Sequence, residues 1–130
     1  MSYMKKQDTL GQFEHLVLSA TLKCDRDYGM KIHQMVEELG KRKVKLPSVY
    51  VTLDRLEEKG YVRSWWGDAT PERAYRRAKF FKVLPAGEKV LAYSAETAQV
   101  LANTWREWLK QQLELAKAKK QKETQPERIR

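Results

Sequence analysis

The stretch LPSVYVTLDRLEEKGYV, residues 46–62, decides the fold of this 130-residue chain. Pro47 favours a helix start, because it has no N–H group to leave unpaired there, and Gly60 favours a helix end. Between them, apolar residues recur at spacings of three and four and predict one buried helix face. Those apolar residues are Val49, Leu53 and Leu56. The opposite face is polar and aromatic near its N-terminal end.

Two shorter helical patterns precede this stretch. The first is predicted from about Thr9 to Cys24, and the second from about Tyr28 to Leu39. Asp27 is expected to cap the start of the second helix, and Gly40 is expected to follow its end. Two short helices followed by a third with an exposed polar end are typical of a helix-turn-helix.

A hairpin and a long helix are predicted downstream. Residues 61–66 and 79–83 are rich in β-forming residues, and residues 67–72 between them form a turn and loop. Pro85 then opens a helix that is expected to end near Lys119, roughly 50 Å away at 1.5 Å per residue. The predicted fold class is mainly α with a small β-hairpin: a winged helix-turn-helix plus a long C-terminal helix.

The long helix carries an apolar seam that has no partner within its own chain. Spacings of four and three alternate along it, as in a heptad pattern. A helix of this length cannot bury such a seam against one small domain, so the seam predicts a second chain. Its members are Leu91, Ala95, Ala98, Ala102, Trp105, Leu109, Gln112 and Ala116.

Positive charge is concentrated in the middle of the chain. The net charge is +9, and residues 41–82 alone carry 12 basic and 5 acidic groups. A second basic run lies at residues 110–130, with 7 basic and 3 acidic groups. Such a patch on one module is the electrostatic signature of a protein that binds a phosphate backbone.

Candidate DNA contacts therefore come from the third helix and the basic segments on either side of it. A helix N-terminus fits the major groove, and arginines in a wing reach flanking phosphates. Arg55 could read guanine or pair with Asp54 or Glu58 on a solvated face, and both alternatives stay open. The predicted DNA-binding residues are Lys43, Lys45, Ser48, Tyr50, Val51, Thr52, Arg55, Arg73, Arg76, Arg77 and Lys79.

Other classes of function lack the residues they need. A structural zinc site requires four closely spaced ligands, whereas Cys24, His15 and His33 are scattered, so neither a metal nor a cofactor is predicted. The single cysteine, Cys24, excludes an internal disulfide and is expected to be buried and inert. The sequence contains no phosphate-binding Gly-rich loop and no nucleophile motif, and we predict that the protein is not an enzyme.

Three linked motifs resemble the PadR-like transcriptional regulators. They are YGMKIHQMVEELG (residues 28–40), LPSVYVTLDRLEEKGYV (residues 46–62) and TPERAYRRAKFFKVLPAGEKVL (residues 70–91). The second matches the family's Ser-x-Tyr-x-Thr-Leu-x-x-Leu-Glu-x-x-Gly recognition helix through Ser48, Tyr50, Thr52, Leu53, Leu56, Glu57 and Gly60. The third matches a wing strand through Lys79, Phe80 and Phe81, followed by Gly87 at a helix start. Val51 stands where many members have proline.

The resemblance implies a homodimeric winged-helix repressor that binds double-stranded DNA. It also implies that the long helix dimerises together with the first helix. The dimerisation residues expected on this basis are Phe13, Val17, Leu91, Ala98, Trp105 and Leu109. Some relatives bind flat aromatic ligands between tryptophans, so Trp105 and Trp108 are candidates for a planar aromatic effector. The alternative is that both tryptophans simply fill the dimer core.

We therefore expect a dimeric transcriptional repressor on a pseudo-palindromic operator. The alternative is a winged-helix module that binds protein or RNA without a specific operator. A cytoplasmic location is expected, because no membrane span and no secretion signal is apparent. The expected regions are a winged-helix DNA-binding domain (1–84), a dimerisation helix (85–119) and a disordered basic tail (120–130).

Overall fold

The computed structural model describes residues 9–74 and 76–124. It confirms the predicted fold class, because the chain is mainly helical, with a small antiparallel sheet and a long C-terminal helix. The elements in chain order are α1 (Gln12–Cys24), β1 (Asp27–Tyr28), α2 (Gly29–Gly40), α3 (Leu46–Glu58), β2 (Val62–Trp66), a one-turn 3-10 helix (Pro71–Arg73), β3 (Lys79–Val83) and α4 (Pro85–Thr124).

One apolar core lies between the first three helices and the sheet. α1 packs on α2 and α3, and β3 lies against α1. The side chains of Val49, Leu53 and Leu56 are wholly buried, as their spacing in α3 predicts. Phe81 of β3 is the largest fully buried side chain. This core fixes the buried face of α3 and leaves the opposite face of α3 exposed.

The sheet has a third strand that the sequence analysis missed. Its order is β1-β3-β2, and Tyr28 of β1 lies opposite Phe80 of β3. Asp27 therefore belongs to a strand, and the N-cap of α2 is Tyr28, which makes the predicted cap at Asp27 wrong. A two-residue strand is too short to give a periodic signal, whereas pairing satisfies the free edge of β3.

Gly40 is the last residue of α2 and not the residue after it. The helix ends on Lys41, which adopts the left-handed conformation with φ 54°. A Cβ at position 40 would approach Leu16 Cδ2 to 2.9 Å. Gly40 therefore allows α2 to pack closely on α1, and the predicted role beyond the helix end is wrong. Gly60, with φ 81°, does follow α3 as predicted.

Glu14 and His15, neighbours in α1, form side-chain hydrogen bonds to Lys59 and Ser94. Lys59 Nζ, just after α3, donates to Glu14 Oε2 at 3.0 Å. Burial tends to raise the pKa of Glu14, but the Gly11 amide and the Lys59 ammonium outweigh it and hold the pKa below its ordinary value. A hydrogen bond of 3.1 Å joins His15 Nδ1 to Ser94 Oγ in the first turns of α4.

α4 continues to Thr124, five residues beyond the predicted end at Lys119. The added segment contains Lys, Gln and Glu, which are good helix formers, and Pro126 is the first proline after it. The first five residues of the predicted tail are thus helical, and residues 125–130 lie outside the described part of the chain. The chain divides into two compact units, Met1–Ser94 and Ala95–Arg130, and α4 contributes to both.

No helix of the described chain combines the length and the apolar content needed to cross a membrane.

Candidate nucleic-acid interface

The exposed face of α3 carries a narrow stripe of predicted contact residues. Ser48, Val51 and Arg55 follow one another at spacings of three and four, so they lie on the same side of the helix. All three are exposed, and Val51 is 50% exposed although it is apolar. An exposed valine flanked by a hydroxyl and a guanidinium is suited to the thymine methyl group and polar base edges of a major groove.

Thr52 does not share this face, so its predicted contact with a base is wrong for the folded chain. Its side chain is only 4% exposed, and Oγ1 donates to the Ser48 carbonyl at 2.9 Å. A threonine four residues after a carbonyl commonly makes this bond within a helix. Thr52 therefore stabilises α3 from within.

Tyr50 is half-buried and packs inward against the sheet. Its ring lies 6.3 Å from that of Phe81. Burial raises the pKa of the Tyr50 phenol, with a further contribution from Tyr28, so the hydroxyl stays protonated at neutral pH. The edge of the ring lines a cleft beside α3, which leaves the residue partly accessible.

The recognition helix is tied to the wing by Glu57. Its carboxylate accepts a hydrogen bond from the Ser64 amide at 3.0 Å and another from Ser64 Oγ at 2.8 Å. Ser64 lies in β2, so one side chain of α3 holds the adjacent strand. The glutamate of the sequence motif thus fixes the angle between helix and wing.

The basic turn before α3 is held by a second polar cluster. His33 Nε2 donates to the Val44 carbonyl at 2.6 Å, and Glu37 Oε2 accepts from the Val44 amide at 2.9 Å. The Val44 amide lowers the pKa of Glu37 below its ordinary value. With this peptide fixed, Lys43 and Lys45 on either side of it are exposed and directed to solvent.

A cleft of about 720 Å³ separates α3 from the wing. Four of the predicted wing residues line it, and they give it a positive wall. These residues are Arg73, Arg76, Arg77 and Lys79. Tyr50 and Asp54 of α3 form the facing wall. The structure therefore brings the predicted wing residues to the same opening as the recognition helix.

Trp66 of β2 is a further candidate residue, one that is absent from the predicted DNA-binding residues. It is 56% exposed, lines the cleft, and has the Lys79 ammonium 5.8 Å from its ring centre. Trp65 does pack within the hairpin, stacked on Phe80 at 5.9 Å. Successive residues of a strand point to opposite faces of the sheet, so Trp65 packs within the hairpin while Trp66 faces the cleft.

The family model of the transcriptional regulator PadR-like family matches residues 17–93. The chain belongs to this family. PadR-like proteins are DNA-binding transcription regulators and not enzymes, so the protein is a DNA-binding transcription regulator. The matched segment contains α2, α3 and both hairpin strands, which are the elements that form the cleft.

Solved structures of PadR-like regulators share the fold. A PadR-like transcription factor from Bacteroides fragilis aligns with a TM-score of 0.63 at 22% identity, over 75% of this chain and 89% of its own. A PadR family regulator from Clostridium difficile gives 0.62 at 22% identity, over 76% and 99%. One from Eggerthella lenta gives 0.63 at 22% identity, over 76% and 82%. A comparison with curated proteins finds no match.

Two of the six dimerisation residues expected for a PadR-like protein belong to the chain's own core. Val17 is wholly buried and Leu91 is 8% exposed, so neither offers a surface to a second copy. Phe13 packs partly against the same core. By contrast, Trp105 and Leu109 are exposed on α4, by 58% and 38%.

Trp105 and Trp108, the predicted effector residues of this PadR-like chain, stack on each other. Their ring centres lie 5.2 Å apart at an interplanar angle of 25°. Ala98 is exposed and Ala102 is half-buried on the preceding turns, so the side of the helix next to the indoles carries small side chains.

Cys24 has the surroundings of an unreactive thiol. Burial raises the pKa of Cys24, and the nearby carboxylates of Asp27 and Glu38 raise it further. The thiolate, which is the reactive form, is thereby disfavoured.

Proposed function

We propose that this PadR-like regulator is a homodimeric repressor that binds a pseudo-palindromic operator in the cytoplasm. The observation that carries the proposal is the apolar surface of α4. From Tyr93 onward its large apolar side chains are between 38% and 65% exposed in the single chain, and they include Leu101, Trp105, Trp108, Leu109 and Leu113. A continuous apolar surface of this kind is typical of a protein–protein interface.

A second copy is the partner that fits this surface best. A two-fold axis lets the same stripe cover itself, as in most soluble homo-oligomers. Two recognition helices would then enter successive major grooves about 34 Å apart. The operator would accordingly consist of two inverted half-sites about 10 base pairs apart, centre to centre.

Selection of bound duplexes from a random pool, together with equilibrium sedimentation, tests the proposal. We expect a dimer at micromolar concentration and an enriched inverted repeat, and a reporter behind that repeat should be less transcribed when the protein is present. A monomer, or a pool that shows no enrichment, would refute the dimeric operator binder. Arg55→Ala should relax the base preference at one position of each half-site, at a cost of about 1–3 kcal/mol.

We further propose that a planar aromatic cation binds at Trp105 and Trp108. Stacking and cation–π contacts with an indole contribute on the order of 1 kcal/mol each. Such a ligand would quench their fluorescence and weaken operator binding by changing the angle between the two winged-helix modules. The measurement uses a Trp65→Phe, Trp66→Phe background, so that the wing tryptophans do not contribute. Unchanged fluorescence and unchanged DNA affinity across a panel of such cations would contradict it.

A further inference from the structure

Arg73 bridges the two arms of the loop that joins β2 to β3. Its Nη2 donates to the Asp68 carbonyl, and its Nε donates to the Arg76 carbonyl at 3.4 Å. Asp68 lies just after β2, and Arg76 lies shortly before β3. One guanidinium therefore closes the described part of this loop, in which Tyr75 is not described.

The same guanidinium is fixed over two aromatic rings of the sheet. Its central carbon lies 5.9 Å from the ring centre of Tyr28 and 5.9 Å from that of Phe80. These two rings meet edge to face at 5.9 Å across the paired strands β1 and β3. The short strand β1, which also covers the edge of β3, thus supplies part of the platform for Arg73.

The loop contains a residue that needs such support. Ala74, next to Arg73, adopts the left-handed conformation at φ 54°. This conformation is unfavourable for a residue with a Cβ, and the surrounding contacts must hold it.

Arg76 and Arg77, the other two arginines of the loop, differ in the hydrogen bonds that their side chains make. Arg77 Nε donates to the Gly67 carbonyl at 3.0 Å, and its Nη2 donates to the Trp66 carbonyl at 3.4 Å. Arg76 is exposed, and within the described residues its side chain makes no hydrogen bond or ion pair. Its guanidinium is therefore available to an outside anion, whereas that of Arg73 is already occupied.

We propose that Arg73 is a positioning residue that shapes the wing for DNA, and that Arg76 is the residue that contacts a DNA phosphate. Because a lysine ammonium cannot bridge two carbonyls and stack on two rings at once, arginine is required at position 73 for its shape. At position 76 only the charge is required. The measurements of DNA binding rest on the proposed function, whereas the measurement of loop exchange in the free protein does not.

Charge-preserving and charge-removing variants separate the two roles. The measurements are the dissociation constant for a random-sequence duplex over a range of salt concentrations, and amide hydrogen exchange of residues 67–78 in the free protein. Arg73→Lys should weaken DNA binding about tenfold with an unchanged salt slope, and it should speed hydrogen exchange of the loop about tenfold. Both changes are expected because the lost hydrogen bonds contribute about a factor of ten to the equilibrium constant. Arg76→Lys should leave the dissociation constant and the loop exchange rate within about twofold, whereas Arg76→Gln should lower the salt slope by about one for each bound subunit.

Tyr28→Leu provides an independent check, because it removes one ring below Arg73 and leaves every charge in place. It should speed loop exchange in the same direction as Arg73→Lys. Normal exchange and normal DNA affinity in Arg73→Lys would overturn the proposal. So would a fall of the salt slope by about one for each bound subunit in Arg73→Gln with unchanged loop exchange. If the chain bound no DNA, the proposed function would fail, and the exchange data would still decide the role of Arg73.

Discussion

The phenol ring of Tyr50 lies directly over the backbone of Gly29. A Cβ built at position 29 would clash with the hydroxyl and with two ring carbons of Tyr50. Gly29 opens α2, immediately after β1, and Tyr50 lies in α3. Gly29 of the Tyr-Gly motif at residues 28–29 and Tyr50 of the recognition helix thus form one contact. This contact sets how closely α3 approaches α2.

Gly29→Ala should destabilise the protein by about 1–3 kcal/mol, since the added methyl overpacks a filled site. The measurement is urea unfolding. In a Tyr50→Ala background the same substitution should become neutral or slightly stabilising, because alanine is favoured over glycine in a helix by up to about 1 kcal/mol. Additive effects in the two backgrounds would show that the ring of Tyr50 is not what requires glycine.

Glu57→Ala should lower the free energy of unfolding by about 1–3 kcal/mol, because the Ser64 amide and hydroxyl lose their acceptor. Glu58→Ala is the matched control, since Glu58 is the exposed neighbour on the same helix, and it should change stability by less than about 0.5 kcal/mol. Thermal and urea unfolding of both variants check this. Equal effects at the two positions would mean that the link between helix and wing contributes nothing.

Stability should depend on the ionisation of Glu37. Its pKa is lowered in the folded protein by the Val44 amide, so its contribution is present above the unfolded value of 4.5 and is lost as pH falls through the lower folded value. The stability difference between the wild type and Glu37→Gln should therefore shrink as pH is lowered below about 4.5. Urea unfolding from pH 3 to pH 7 measures it, with Glu38→Gln as the exposed control. A difference that grows in acid would contradict this assignment.

If the proposed dimer forms through α4, Leu109→Asp should convert it to a monomer at micromolar concentration, since the substitution places a charge in the apolar surface of α4. Asn103→Asp introduces the same charge on the opposite side of the helix, beside Gln99 and Arg106, and should leave the dimer intact. Equilibrium sedimentation distinguishes the two. If both variants remained dimeric, the interface would lie elsewhere on the chain.

Much of the winged helix followed from local sequence signals. The bounds of α3 and of β3 match the predicted ones closely, because Pro47 and Gly60 mark the helix and Lys79 to Val83 are continuous β-formers. Strand β1 was missed because it forms only by pairing with Phe80 and Phe81, which are far from it in the sequence. Gly40 was misassigned for a similar reason, since its role depends on Leu16 in another helix.

The candidate site was predicted as a region but not side chain by side chain. Charge and motif located the recognition helix and the wing, whereas the direction of each side chain depends on packing. Thr52 and Val17 point into the core, and Trp66 points into the cleft. A stricter use of helical and strand periodicity would have separated Thr52 from Val51 and Trp66 from Trp65.

Glu14 and His15 make α1 the shared support of two elements that are distant in sequence. Adjacent side chains of a helix project about 100° apart, and here one bonds to Lys59, just after the recognition helix, while the other bonds to Ser94 of α4. Through two neighbouring residues of one helix, the end of the base-reading helix and the first turns of α4 are therefore anchored to the same short segment of α1.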